Sequence, residues 1–323
     1  MAGYRIALAA MAAMAFAAPQ ARAQDFPSRQ ITIVVGLAPG GITDVTSRIY
    51  ADALSKITGQ RVVVENKQGA GGAVGAASVQ NASPDGYTVL VFSGSQHVAV
   101  PAMSSSAPYE PLKGFAPITL LFDLNTLVAV PDSLPARTLA ELWEHGKKKP
   151  GGLSFGSPGA GTPSHMLAAR LGRATKTPME MVHYRGGGPM MADLITGRVD
   201  WALSSFTVAK GHFAEKKLRA LAIDADKRWN GMPDVPTLTE LGLGSETVAR
   251  WFAVAAPAGT PPAVVKKLNE DFIKASKDPD LIKRLNDNGT PIHTSTPDEM
   301  ARLMSQENDR AKELVAALNL KQN

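Results

Sequence analysis

The chain has 323 residues, 44% of them hydrophobic, with 34 Lys and Arg against 29 Asp and Glu and no cysteine. A net charge of only +5, with no basic block beyond Lys147-Lys148-Lys149, argues against a nucleic-acid partner. The lack of cysteine excludes disulfides, thiol nucleophiles, Cys-bearing metal sites and a lipid-anchoring cysteine.

In chain order, Arg5, the apolar run Ile6 to Ala18 and the Ala21-Arg22-Ala23 signal read as a secretory signal peptide over residues 1–23, cleaved before Gln24. Its removal leaves 300 residues with a net charge of +3, enough for two domains of about 150 residues. No later run approaches the roughly 18 apolar residues of a spanning helix, so an exported, soluble, periplasmic chain is expected.

From Ile31 the pattern alternates strand and helix. Ile31–Val35 is a strand and Asp44–Ile57 an amphipathic helix; Arg61–Glu65 is a strand, followed by the Gly69-Ala-Gly-Gly72 loop and a small-residue helix to about Asn81. Pro84-Asp85-Gly86 turns into strand Tyr87–Phe92. An extended stretch, Ala116–Val130, leads to helix Thr138–Lys148, strand Leu153–Phe155 and helix Thr162–Gly172. Strand Met179–Tyr184, helix Gly188–Thr196 and strands Val199–Leu203 and Leu218–Ile223 follow. Trp251–Ala255 is an apolar strand returning to the first unit, and the end is helical, with a capping box at Thr296-Pro-Asp-Glu299. Such alternation predicts parallel sheets covered on both faces. The expected division is 25–120 plus 255–323 as one lobe and 121–254 as the other, crossing near 116–130 and 251–255.

A strand–Gly-rich loop–helix signal occurs twice. In Ala38-Pro39-Gly40-Gly41-Ile42-Thr43, Thr43 is expected to cap the helix; in Gly156-Ser157-Pro158-Gly159-Ala160-Gly161-Thr162, Thr162 is the N-cap with Pro163 at the first helical position. Such loops expose backbone N–H groups at the positive end of a helix and form ready anion sites. Taken alone, the glycines need only make a tight βα turn. Ser157, Thr162 and Ser164 offer hydroxyls to a carboxylate, and His165, in the first helical turn, reads as a neutral group. Arg185 can meet an anion or remain solvated, and Ser204 and Ser205 end a strand toward the same cleft. The Gly69–Gly75 loop departs from G-x-G-x-x-G at Val74, no Walker A sequence occurs, and the six histidines lack i,i+3 or i,i+4 pairing, so neither nucleotide nor metal is expected. Gly152-Leu-Ser154-Phe-Gly156 fits G-x-S-x-G, which makes an esterase-like hydrolase using Ser154, with Asp200 and His293 as partners, an alternative reading, but Ser154 lies within a strand pattern rather than on a strand-to-helix elbow.

The ordered set Thr32–Asp44, Val62–Gly72, Pro84–Thr88, Ser154–His165, Tyr184–Pro189, Gly197–Asp200, Pro233–Thr237 and Ala256–Pro261 resembles the Bug family, the periplasmic receptors of tripartite tricarboxylate transporters. The resemblance spans the chain after the leader. It implies an α/β two-lobed periplasmic binding protein (type II, Venus flytrap) with two parallel or mixed sheets and a hinge. It implies no enzyme activity, no cofactor, a small organic carboxylate as ligand, and integral-membrane transporter subunits as partners of a monomer; a periplasmic sensor is the alternative. The ligand-binding residues expected are Ala38, Pro39, Gly40, Gly41, Thr43 and Asp44; Gly94, Ser95 and His97; Gly156, Ser157, Gly159, Gly161, Thr162, Ser164 and His165; Tyr184, Arg185 and Gly186; and Ser204 and Ser205. Leu37, Val100 and Ser204-Ser205 depart from the residues common in the family and are expected to adapt the distal pocket.

Overall fold

A computed structural model describes residues 26–317 apart from 105, 106, 161, 185 and 226. The expected signal peptide and two expected site residues, Gly161 and Arg185, lie outside the described residues.

The strands are β1 Ile31–Val35, β2 Val62–Asn66, β3 Thr88–Ser93, β4 Phe115–Asp123, β5 Thr126–Pro131, β6 Leu153–Ser157, β7 Met179–His183, β8 Trp201–Ser205, β9 Leu218–Asp224 and β10 Trp251–Pro257. They form two five-stranded sheets, β2-β1-β3-β10-β4 and β7-β6-β8-β5-β9. The helices are α1 Ile42–Thr58, α2 Ala73–Gln80, α3 Gly94–Met103, α4 Leu139–Lys148, α5 Pro163–Thr175, α6 Gly187–Ile195, α7 Phe206–Ala214, α8 Pro262–Ala275, α9 Pro279–Asp287 and α10 Pro297–Ala317.

Both sheets are covered on two faces, which explains why their strands read as nearly unbroken apolar runs. Successive side chains of a strand point to opposite faces. In the first sheet Ile33, Val35, Val89 and Val91 pack with Tyr50 of α1 and Phe272 of α8, while Val34, Leu90 and Phe92 pack with Val79 of α2 and Met304 of α10. In the second, Val128, Val130, Trp201 and Leu203 face α4 and α5, and Ala129 and Ala202 face Met190 and Leu194 of α6.

The sheets are mixed rather than wholly parallel: β10 runs antiparallel between β3 and β4, and β5 antiparallel between β8 and β9. The stretch read as one extended segment is two strands in different sheets, β4 and β5, because the chain crosses between lobes at Leu124-Asn125. Nothing in the sequence pattern marks that crossing, since both flanking strands are buried. The expected capping box of α10 is present: the Thr296 N–H donates to Glu299 Oε2 at 2.8 Å and the Glu299 N–H to Thr296 Oγ1 at 3.2 Å.

A cleft ringed by helix N-termini

The carboxyl ends of β1, β3, β6 and β8 open into one cleft of about 470 Å³ between the lobes, the position where open α/β sheets bind ligands. Its first wall is the loop after β1. Gly40 takes a φ of 81°, in the left-handed region that favours glycine, and Gly41 is the N-cap of α1. Thr43 is not the cap; it sits inside the first turn, with its Oγ1 buried and without a hydrogen-bond partner. No side chain caps α1; Asp44 instead steadies the loop, its Oδ2 accepting the Gly40 N–H at 2.9 Å while Arg48 Nη2 donates to Oδ1 at 2.8 Å. Burial raises the Asp44 carboxyl, but the hydrogen bonds from Arg48 and Gly40, one with Asn66 and the charge of Arg48 hold it below its ordinary 3.8.

Ser93 and Gln96 of α3 line the cleft beside this loop. Ser93 is the N-cap, its Oγ accepting the Gln96 N–H at 3.2 Å, and the Gln96 side chain donates to the Gly71 carbonyl. Neither α3 nor these two residues were expected. The readable signal is Ser93 followed three positions later by Gln96, the spacing of a capping box.

The opposing wall comes from the second lobe. Thr162 caps α5, accepting the His165 N–H at 3.3 Å and donating to the Gly159 carbonyl at 2.8 Å. Ser164 lies on the cleft surface, as do Gly186 to Pro189 at the start of α6 and Ser204 and Ser205 at the start of α7. The walls approach closely at the rim, where a Cβ on Gly186 would stand 3.7 Å from that of Ala38. Leu37, Ile42, Leu124, Met190, Leu203, Val208 and Phe252 add an apolar lining, and Thr126 an extra hydroxyl.

Of the expected site residues, the structure brings together Ala38, Pro39, Gly40, Gly41, Thr43, Thr162, Ser164, Gly186, Ser204 and Ser205 on the cleft. It places the other described ones elsewhere. Asp44 lies beneath the loop, holding the Gly40 N–H. Gly94 makes room for Trp251, whose ring would stand 2.3 Å from a Cβ there, and Ser95 faces a different cavity. His97 is buried among Phe92, Tyr109 and Phe115 with Nε2 2.9 Å from the Pro111 carbonyl, and burial lowers its pKa to about 4. Gly156 packs against Met190 and Val199, Ser157 Oγ donates to the Gly159 carbonyl, and Tyr184 Oη donates to Asp193. His165 is buried against His183 with ring centroids 4.7 Å apart, and burial followed by that neighbour lowers its pKa to about 4, keeping it neutral. Leu37 and Ser204-Ser205 line the cleft, whereas Val100 stands beside Gly71. Ser154 lies inside β6, its Oγ donating to Asp200 at 2.9 Å, while His293 pairs with Asp123 in the other lobe. That arrangement has no nucleophile elbow at Ser154.

Five helices, α1, α3, α5, α6 and α7, therefore point their N-termini at one cleft. Among the described residues no Lys, Arg, Asp or Glu lines it. The described lining thus offers backbone N–H groups and helix dipoles, each helix start equivalent to roughly half a positive charge.

Comparison with known proteins agrees with this architecture. A protein from the tcbD–tcbE intergenic region of a Pseudomonas species is 36% identical over 99% of this chain and 96% of its own. The structure of the periplasmic binding protein BugD is 30% identical with a TM-score of 0.85, covering 92% of this chain and 100% of its own. MatC of Rhodopseudomonas palustris with bound malate is 33% identical with a TM-score of 0.83, covering 90% and 100%. A second R. palustris protein, solved with adipate, is 29% identical with a TM-score of 0.86, covering 91% and 99%. The sequence model of the family described as "Tripartite tricarboxylate transporter family receptor" matches residues 46–320. The chain therefore belongs to the tripartite tricarboxylate transporter receptor family, which includes the Bug proteins.

Proposed function

We propose that this protein is an extracytoplasmic receptor that closes on a small organic carboxylate and delivers it, as a monomer, to membrane subunits of a tripartite transporter. The convergence of five helix N-termini on a cleft with no charged side chain among the described residues carries this reading. A carboxylate held there gains several charge-assisted hydrogen bonds, each contributing about 1.5–3 kcal/mol, and needs no salt bridge. Because the N-termini belong to both walls, α1 and α3 on one and α5, α6 and α7 on the other, two carboxylates at opposite ends of one ligand are both served. The apolar lining between them, including Leu37, Ile42, Met190 and Phe252, suits a methylene chain. A dicarboxylate is thus the ligand class we favour. Export through the leader at residues 1–23 places the receptor in the periplasm on this reading.

A thermal-shift screen of the chain from Gln24 against mono-, di- and tricarboxylates tests the proposal. Dicarboxylates such as adipate and malate should raise Tm more than matched monocarboxylates or the corresponding diamines. A protein stabilised by diamines and indifferent to every carboxylate would end the proposal.

A further inference from the structure

Behind the cleft, across the layer made by α3 and the start of β10, lies a second cavity of about 500 Å³. Opposite facing of successive strand residues puts Phe252 on the cleft and Trp251 on this rear cavity. On α3, Ser93 and Gln96 face forward, while Ser95 and Ala99 face the rear. The rear cavity is walled by Met166 and Arg170 of α5 from the second lobe and by Leu303, Glu307 and Arg310 of α10, which packs on α3 and β4 of the first.

Its chemistry differs from that of the cleft. Arg170 is committed to Glu246, at 3.3 Å, and to the Ser245 carbonyl. Glu307 is buried and accepts a hydrogen bond from the Ala249 backbone, yet among the described residues neither it nor Arg310 is in an ion pair. One carboxyl and one guanidinium, three positions apart on α10, thus line the same cavity without meeting. Burial raises the pKa of Glu307, against the opposing pull of Arg310, and a cation beside it would restore the ionised form. Ser95 Oγ, in the opposite wall, is buried without a hydrogen-bond partner. Trp251, Met166 and Leu303 supply apolar surface beside these groups.

We infer that this rear cavity is a second binding site, taking a zwitterionic α-amino acid with an apolar side chain, its carboxylate on Arg310 and its ammonium on Glu307. The buried Glu307 carboxyl, which feels the charges of Arg310 and Arg170 but is in no ion pair among the described residues, and the solvent-exposed Arg310 guanidinium complement the two charges of the ligand, and the Trp251 and Met166 surface complements its side chain. A cavity of this size holds a residue such as leucine with space to spare, and nothing in it duplicates the cleft.

The test uses the ¹⁵N-labelled chain from Gln24, with L-leucine as the probe and the Trp251 indole resonance, assigned through Trp251→Phe, as the readout. Millimolar leucine should shift that resonance saturably. Isovalerate and isoamylamine, each carrying one of the two charges, should bind at least tenfold more weakly, as should leucine to Arg310→Ala and Glu307→Gln variants of unchanged melting temperature. The response should persist in Gly40→Val, where the front cleft is altered. An unmoved Trp251 resonance, isovalerate matching leucine, wild-type affinity in both α10 variants, or loss of the response in Gly40→Val would each overturn the inference. Loss of the response in Gly40→Val would place leucine in the front cleft; the other three outcomes leave the proposed carboxylate binding there untouched.

Discussion

Gly40 stands at a φ of 81° with nothing within 4 Å of where a Cβ would lie. A side chain there meets open space in the fold but carries the backbone cost of a left-handed residue, about 1–2 kcal/mol. It also projects at the cleft rim. Gly40→Val should therefore lower Tm by a few degrees and weaken carboxylate binding at least tenfold; unchanged affinity by calorimetry would remove the loop from the site. The loop's shape depends in turn on Asp44, whose carboxyl is held below its ordinary value. A depressed folded pKa contributes stability that is present above the ordinary 3.8 and is lost as pH falls through the lowered value. Asp44→Asn should keep an acceptor for the Gly40 N–H but lose the ion pair with Arg48. Urea unfolding should then show wild type more stable than the variant near neutral pH, with the gap narrowing as pH falls below the ordinary 3.8. A gap that widened on acidification would contradict the sign of the shift.

At the scale of elements, the site is made of helix starts, which gives stability and binding opposite responses to added negative charge. Ser205 is the N-cap of α7, yet its side chain makes no cap hydrogen bond. Ser205→Asp places an acceptor and a negative charge at that end, favourable for α7 by about 0.3–1 kcal/mol. On the proposed reading, the same charge enters a cleft whose described lining draws anions through neutral donors. The variant should melt no lower than wild type and lose most of its affinity for adipate; a variant that binds as before would show that the α7 end does not face the ligand. These starts differ in how openly the sequence displays them. The β1 loop and Thr162-Pro163 are legible because Gly, Thr and Pro act locally on the backbone. The start of α3 is harder to see: its sequence, Gly94 to Met103, is apolar on most sides and contains Pro101, so it carries little helical periodicity. The family resemblance points to Ser95 and His97, but the turn of α3 sends Ser93 and Gln96 to the cleft instead. Thr43 fails to cap α1 for a similar reason: Gly41 holds the N-cap position, and the geometry of the loop, not residue type alone, decides whether a side chain can cap.

For the whole molecule, ligand capture by two lobes requires that the crossings between them hold while the lobes move. One residue ties both crossings. Arg250, just before β10, donates through Nη1 to Asn125 Oδ1 at 3.1 Å, in the link from β4 to β5. The same nitrogen lies 3.4 Å from the Asp224 carbonyl, at the end of β9, and Nε lies 3.6 Å from Asp224 Oδ1. The Leu124 N–H completes the tie by donating to the Arg250 carbonyl at 2.9 Å. The Asp224 side chain is 2% exposed and that of Arg250 16%, so little water is available to replace the pairing. Removing one member of a buried pair leaves the other charge poorly solvated and typically costs 3–5 kcal/mol, whereas replacing both by apolar groups can be nearly neutral. Arg250→Met should thus lower the unfolding free energy by about 3–5 kcal/mol. Adding Asp224→Leu should recover much of that loss. The double variant should also bind adipate with altered affinity although neither residue lines the cleft, because the hinge would then be held by apolar packing rather than by a directed ion pair. Wild-type stability in Arg250→Met would mean that the crossings are held by the strands alone, and wild-type affinity in the double variant would separate the tie from closure.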